Sequence, residues 1–105
     1  MSLIIQYSAN SIEDLKSIYN YIAYELLSPA YARGQVDRIM KAVRSLSDMP
    51  LRHPIYDKEP WKARNIRYLP IDNYIIFYLP NEEAEIVNIV RIIYGARDMK
   101  GQLLE

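Results

Sequence analysis

Two apolar stripes of helical period lie almost end to end in the first half of the chain. Ile12, Leu15, Ile18, Tyr19, Ile22 and Leu26 recur at three- and four-residue spacing, and Ala32, Val36, Ile39, Met40, Val43 and Leu46 repeat the pattern. Each stripe is one face of an amphipathic helix. The first helix is expected over roughly residues 11 to 27, with Asn10 or Ser11 as its N-cap and Glu13 and Asp14 in the first turn, where carboxylates suit the helix dipole. Ser28-Pro29 ends it and opens the next, with Ser as cap and Pro at the first helical position; Met49-Pro50 closes the second helix near Ser47. So short a connection forces the two helices to fold back on each other as an antiparallel hairpin.

A hairpin with an apolar face needs a second layer, and strand-type runs supply it. Leu3 to Tyr7 is one such run; Arg64 to Leu69, Tyr74 to Leu79 and Glu85 to Tyr94 are three more. Leu51 to Lys62 has no period and reads as a loop. Asp72-Asn73 and Asn81-Glu82-Glu83 supply turns short enough to make the last three strands antiparallel neighbours. The expected order is β-α-α-β-β-β, an α+β domain spanning residues 1–105, with a short helix possible after Gly95. Strict alternation in the last strand puts Val87, Ile89, Arg91 and Ile93 on one side and Ile86, Asn88, Val90, Ile92 and Tyr94 on the other. Both sides are mostly apolar, so the helices cover one and the other needs a different cover or a partner. Ten tyrosines suit surfaces that are apolar yet tolerate water.

Most enzyme constellations are missing. There is no cysteine and one histidine, His53, so a thiol nucleophile and a Cys- or His-rich metal site are both excluded. The three glycines, Gly34, Gly95 and Gly101, are scattered and make no phosphate-cradling loop. No cofactor or metal is expected. No apolar run approaches the ~20 residues of a membrane span, so no membrane partner is expected, and the lack of cysteine fits a reducing cytoplasm. Thirteen basic and thirteen acidic residues balance, although residues 33 to 67 carry nine Lys or Arg against four Asp or Glu. A local basic surface is therefore expected on a neutral protein.

What remains is a set of arginines around the strands, Arg64, Arg67, Arg91 and Arg97, with Tyr68, Tyr78 and Tyr94 nearby in sequence. Guanidinium groups hold phosphates bidentately and stabilise charge developing at phosphorus, and aromatic rings stack on bases. Such a set can support metal-free RNA cleavage. The plainer alternative is that Arg91 pairs with a carboxylate at the sheet edge and that the tyrosines pack the core.

Four segments together resemble the RelE/ParE superfamily, the toxin halves of bacterial type II toxin–antitoxin modules. They are SANSIEDLKSIYNYIA, a second helix ending in LSDMP, ARNIRYLPIDNYIIFYLP and IVNIVRIIYGARDMKGQLL. The pattern is most similar to the ParE branch, whose last strand commonly ends in Arg-x-x-His-Gly-x-Arg-Asp. Arg91, Gly95, Arg97 and Asp98 match, while Tyr94 stands where the histidine is usual. The resemblance implies a helical hairpin on a largely antiparallel sheet and a cognate antitoxin as partner, whose C-terminal segment folds as it docks. It implies one of two targets: DNA gyrase in the ParE-like case, or messenger RNA on the ribosome, cut without metal, in the RelE-like case. In the nuclease case Arg67 and Arg91 are the expected phosphate contacts and Tyr94 the acid, base or stacking residue. Arg64 and Arg97 are expected to contact the target. The neutral charge and the missing histidine favour the ParE-like case.

Overall fold

A computed structural model of the chain describes residues 2–95. Arg97 and the helix expected after Gly95 lie outside the described residues. The elements are β1 (Ile4–Tyr7), α1 (Ala9–Asn20), a π-helical turn (Tyr21–Glu25), α2 (Pro29–Ser45), β2 (Arg67–Ile71), β3 (Tyr74–Asn81) and β4 (Ile86–Tyr94). The four strands form one sheet in the order β1-β4-β3-β2. The β2-β3-β4 meander is antiparallel, and β1 joins it parallel to β4, with the helical hairpin as the crossover. This is the expected α+β arrangement.

Local chemistry moves several expected boundaries. The N-cap of α1 is Ser8, not Asn10 or Ser11: its Oγ accepts the Ser11 N–H at 3.0 Å. Ser8 also donates from its N–H to Ile89 O and from its Oγ to Val90 O, so one residue ends the pairing of β1 and starts the helix. The first helix does not stay α-helical to its end. Leu26 N–H reaches back to Tyr21 O, and the added residue in that last turn leaves both Ile22 and Ala23 buried against Ala32 of α2. Leu27 then reverses the chain at φ 55°, a left-handed value that is costly for a leucine. Pro29 opens α2 as expected, but Ser28 makes no side-chain cap bond.

The main core lies between the hairpin and one face of the sheet. Ile39, Val43 and Leu46 of α2 pack on Ile76, Tyr78, Val87, Ile89 and Ile92. Of the two apolar stripes, Ile22, Ala32, Ile39, Val43 and Leu46 are buried, Leu15, Ile18, Tyr19 and Met40 are half-buried, and Ile12 and Leu26 are exposed. Val36 departs from the expectation: it is half-buried and lines a shallow groove with Ile12, Leu15, Tyr19 and Met40.

Strict alternation fails in β4 because the strand contains a bulge. Tyr78 pairs with Ile89 and Phe77 with Arg91, so Val90 has no partner of its own in the register. The extra residue flips every later side chain to the other face. Val87, Ile89 and Ile92 therefore share the helix-side core, and Val90 and Ile93 join the opposite one.

That opposite face is covered by the chain itself, in part by the segment read from sequence as a loop. The Trp61 indole stacks on Phe77 at 3.9 Å between ring centroids, with Tyr56 edge-on at 5.1 Å to Phe77 and Ile66 fully buried beside them. Tyr56 N–H donates to Ile66 O and Tyr68 N–H to Pro54 O, which pins residues 54–66 along β2. Among the described residues no helix is long and apolar enough to cross a membrane.

Two substitutions test these layers. Ile39→Ala should cost about 2–5 kcal/mol and Trp61→Ala about 3–5 kcal/mol in urea unfolding, each by loss of buried apolar contact plus a cavity. A Trp61→Ala protein as stable as the parent would mean that the second face needs no cover.

Candidate functional site

The arginine inside β4 follows from a mismatch of strand lengths. β1 has four residues and β4 has nine, and their pairing stops at Tyr7 opposite Ile89. Beyond that point the edge of β4 meets α1 instead of a strand. Asp14 of α1 supplies the missing acceptor: its Oδ2 takes the Ile92 N–H at 2.9 Å. The same carboxylate accepts from Arg91 Nε at 2.8 Å and from Arg91 Nη2 at 3.0 Å. The two side chains are only 12% and 14% exposed, so this is a bidentate, largely desolvated pair. The carboxylate pairing weighed as the plainer alternative for Arg91 is present.

Arg91 and Asp14 form one wall of a groove of about 510 Å³ between the hairpin and the ends of β3 and β4. Tyr94 lies along it, 41% exposed, with its ring edge-on to Tyr74 at 5.7 Å. Gln35 of α2, though buried, also lines it and donates from Nε2 to Asp72 Oδ2 at 2.9 Å. Arg38 Nε donates to the same oxygen at 2.9 Å. The hydrogen bond from Arg38, then that from Gln35, hold the Asp72 carboxyl below the usual carboxylate range. These bonds tie α2 to the β2–β3 turn. At the hairpin end Tyr21 and Tyr31 continue the groove, and Tyr24 and Leu27 stand exposed beyond it.

Arg67 does not join this groove. Its Nη1 donates to His53 O at 2.6 Å and to Leu51 O at 3.3 Å, so it fastens the turn after α2. In register Arg67 is opposite Tyr78, on β2, and β3 separates it from β4; two strand spacings amount to roughly 10 Å. Tyr78 is core: its hydroxyl donates to Pro50 O at 2.6 Å, and burial pushes its pKa up to about 12. Tyr68 packs edge-on to Tyr56 at 5.1 Å. Arg64 is exposed, in the short helical turn Lys62–Arg64 before β2. The structure therefore brings Arg91 and Tyr94 to one groove and leaves Arg67 and Arg64 on the far side of β3.

Two residues that shape the groove escaped the sequence reading. Asp14 was legible only as a helix-dipole carboxylate, although a lone arginine in an apolar strand asks for an acid partner. Gln35 gave no signal, because a single polar residue on a helix does not announce its face.

Comparison with known proteins places this geometry. The fold is shared with the chromosomal ParDE toxin–antitoxin system from P. aeruginosa, at a TM-score of 0.72 and 19% identity over 89% of this chain and 96% of that one. It is also similar to the RelBE2 toxin–antitoxin complex from Mycobacterium tuberculosis, at a TM-score of 0.57 and 16% identity over 90% and 99% of the two chains. No curated protein matches the sequence significantly. The profile of the family described as "ParE toxin of type II toxin-antitoxin system, parDE" matches residues 5–99. The chain belongs to that family of toxins.

The Asp14 clasp can be tested directly. Asp14→Ala leaves a desolvated guanidinium and an unpaired Ile92 N–H, and should cost about 3–5 kcal/mol. Asp14→Asn keeps an acceptor for that N–H and should lose less. Equal urea midpoints for both variants and the parent would show that the clasp contributes nothing.

Proposed function

We propose that this toxin inhibits growth by binding DNA gyrase, without cutting RNA, and that a cognate antitoxin protein holds it inactive in the cytoplasm. The carrying observation is that the candidate phosphate-binding cations are engaged within the fold. Arg91 is held bidentately by Asp14, and Arg67 donates to two backbone carbonyls on the other side of β3. A metal-free nuclease needs preorganised cations converging on one phosphate. The formal net charge of zero also lacks the long-range attraction that a polyanionic target rewards. Membership of the ParE family supports the same reading. The antitoxin is supported by the two structural relatives, both of which are toxin–antitoxin systems.

The groove walled by Arg91 and Tyr94 is then a protein-contact surface and not a catalytic centre, and Arg64 and Arg97 are separate candidate contacts to the target. Its tyrosines give large contact area with little rotamer entropy to lose.

Induction in cells tests the proposal. Messages should stay whole while supercoiling falls, and purified toxin should stall a reaction containing gyrase, DNA and ATP. Tyr94→Phe should leave growth inhibition unchanged, since no proton passes through its hydroxyl. A loss of about 10²–10⁴ in rate for that variant, with ribosome-dependent cuts in messenger RNA, would establish the RelE-like nuclease instead.

A further inference from the structure

His53 is the single histidine, and it sits in the turn that joins α2 to the cover over the second sheet face. That turn is bolted to the sheet at four points. Tyr78 Oη donates to Pro50 O, Arg67 Nη1 donates to His53 O and Leu51 O, and Tyr68 N–H donates to Pro54 O. The His53 ring meets the Tyr78 ring edge-on, with centroids 6.3 Å apart. Its Nε2 is buried, and no described group is within hydrogen-bond reach of it.

The groups facing this imidazole offer a second proton nothing. Arg52 on the same turn is a cation that disfavours it, and Arg67 from β2 is bound to the His53 backbone carbonyl. The Tyr78 hydroxyl on β3 donates to Pro50 O and is not within hydrogen-bond reach of Nε2. A neutral imidazole tolerates this site, because an unpaired lone pair costs less than an unpaired charge.

We propose that the turn from Pro50 to Pro54 is an acid-sensitive latch: a proton added at His53 Nε2 makes a buried N–H with no acceptor, near the Arg52 guanidinium, and loosens the turn from β2 and β3. Opening it frees the Arg67 guanidinium and loosens one end of the segment that carries Arg64 and covers the second face. Burial, then the charge of Arg52, lowers the imidazole below its ordinary value of 6.5. With the closed-state value depressed, the open turn binds the proton at higher pH than the closed one. The latch is therefore at full strength above about 6.5 and weakens as pH falls through the interval below it, levelling off once the closed form is itself protonated.

With one histidine in the chain, the imidazole signals in a proton–carbon NMR titration are unambiguous. The folded protein should titrate with a midpoint below 6.5. Between pH 7 and 5, hydrogen exchange at the Tyr68 amide, corrected for intrinsic rate, should lose protection by up to about tenfold for each pH unit of that depression. Amides of the helix-side core, such as that of Ile76, should keep theirs. His53→Gln, which cannot take the proton, should abolish the acid loss at Tyr68. A folded midpoint at or above 6.5, or the same acid loss in His53→Gln, would overturn the latch. Where the variant fails to fold, the titration and the Tyr68 exchange of the unaltered protein decide the matter together, and unchanged Tyr68 protection between pH 7 and 5 would also overturn the latch.

Discussion

One carboxylate settles how a short strand and a long one can share a sheet. β1 ends after four residues while β4 continues for nine, and an unpaired strand edge is both a desolvation problem and a template for unwanted pairing. The chain answers with α1. Ser8 takes over pairing to Ile89 and Val90, and Asp14 then accepts the Ile92 N–H. Because the carboxylate is only 14% exposed, it needs a counter-charge, and Arg91 supplies it from the adjacent strand position. The position of α1, and with it the wall of the groove, depends on this arrangement. A hairpin held only by apolar contact could slide on the sheet; the bidentate pair gives it one register.

The bulge at Val90 is the companion of that clasp. Without the extra residue, Ile92 would face away from the hairpin and Ile93 toward it. With it, both isoleucines are buried, in two different cores. A sheet with two apolar faces then needs two covers, and the second is local. Residues 54–66 fold over Phe77 and Ile93, using one tryptophan as the plug. The chain's small size makes such economy necessary, since a domain near 100 residues has little buried surface to give away.

The order of elements, the hairpin and the antiparallel meander were legible because each rests on period and connection length, which are properties of the chain alone. The exceptions have physical reasons. Ser8 outranked Asn10 and Ser11 as cap because it also pairs with β4, which is nonlocal information. The bulge is invisible to alternation, since a run such as Ile89-Val90-Arg91-Ile92-Ile93 is apolar in either phase. The cover over the second face was hidden because Trp61, Ile66 and Tyr56 follow no period, each reaching the sheet from irregular backbone. At the candidate site the arginines were found by type, but not their partners: two bind backbone carbonyls or a helix carboxylate that spacing cannot link to them.

That distribution of partners bears on chemistry more than the arginine count does. A guanidinium contributes to catalysis when its donors point at the place where charge will develop, with no ground-state acceptor of comparable strength in the way. Arg91 already has a full negative charge at hydrogen-bond distance on two of its nitrogens. To serve a phosphate it would have to leave Asp14, stranding a largely buried carboxylate. Arg67 would have to leave two carbonyls of the turn that seats Tyr78. The energetics thus favour arginines that shape a surface over arginines that act on a bound phosphate. The groove that Arg91 helps to shape mixes tyrosine, leucine and isoleucine with Asp14, Ser17, Gln35 and Asn73, and its one arginine is held by the one carboxylate beside it.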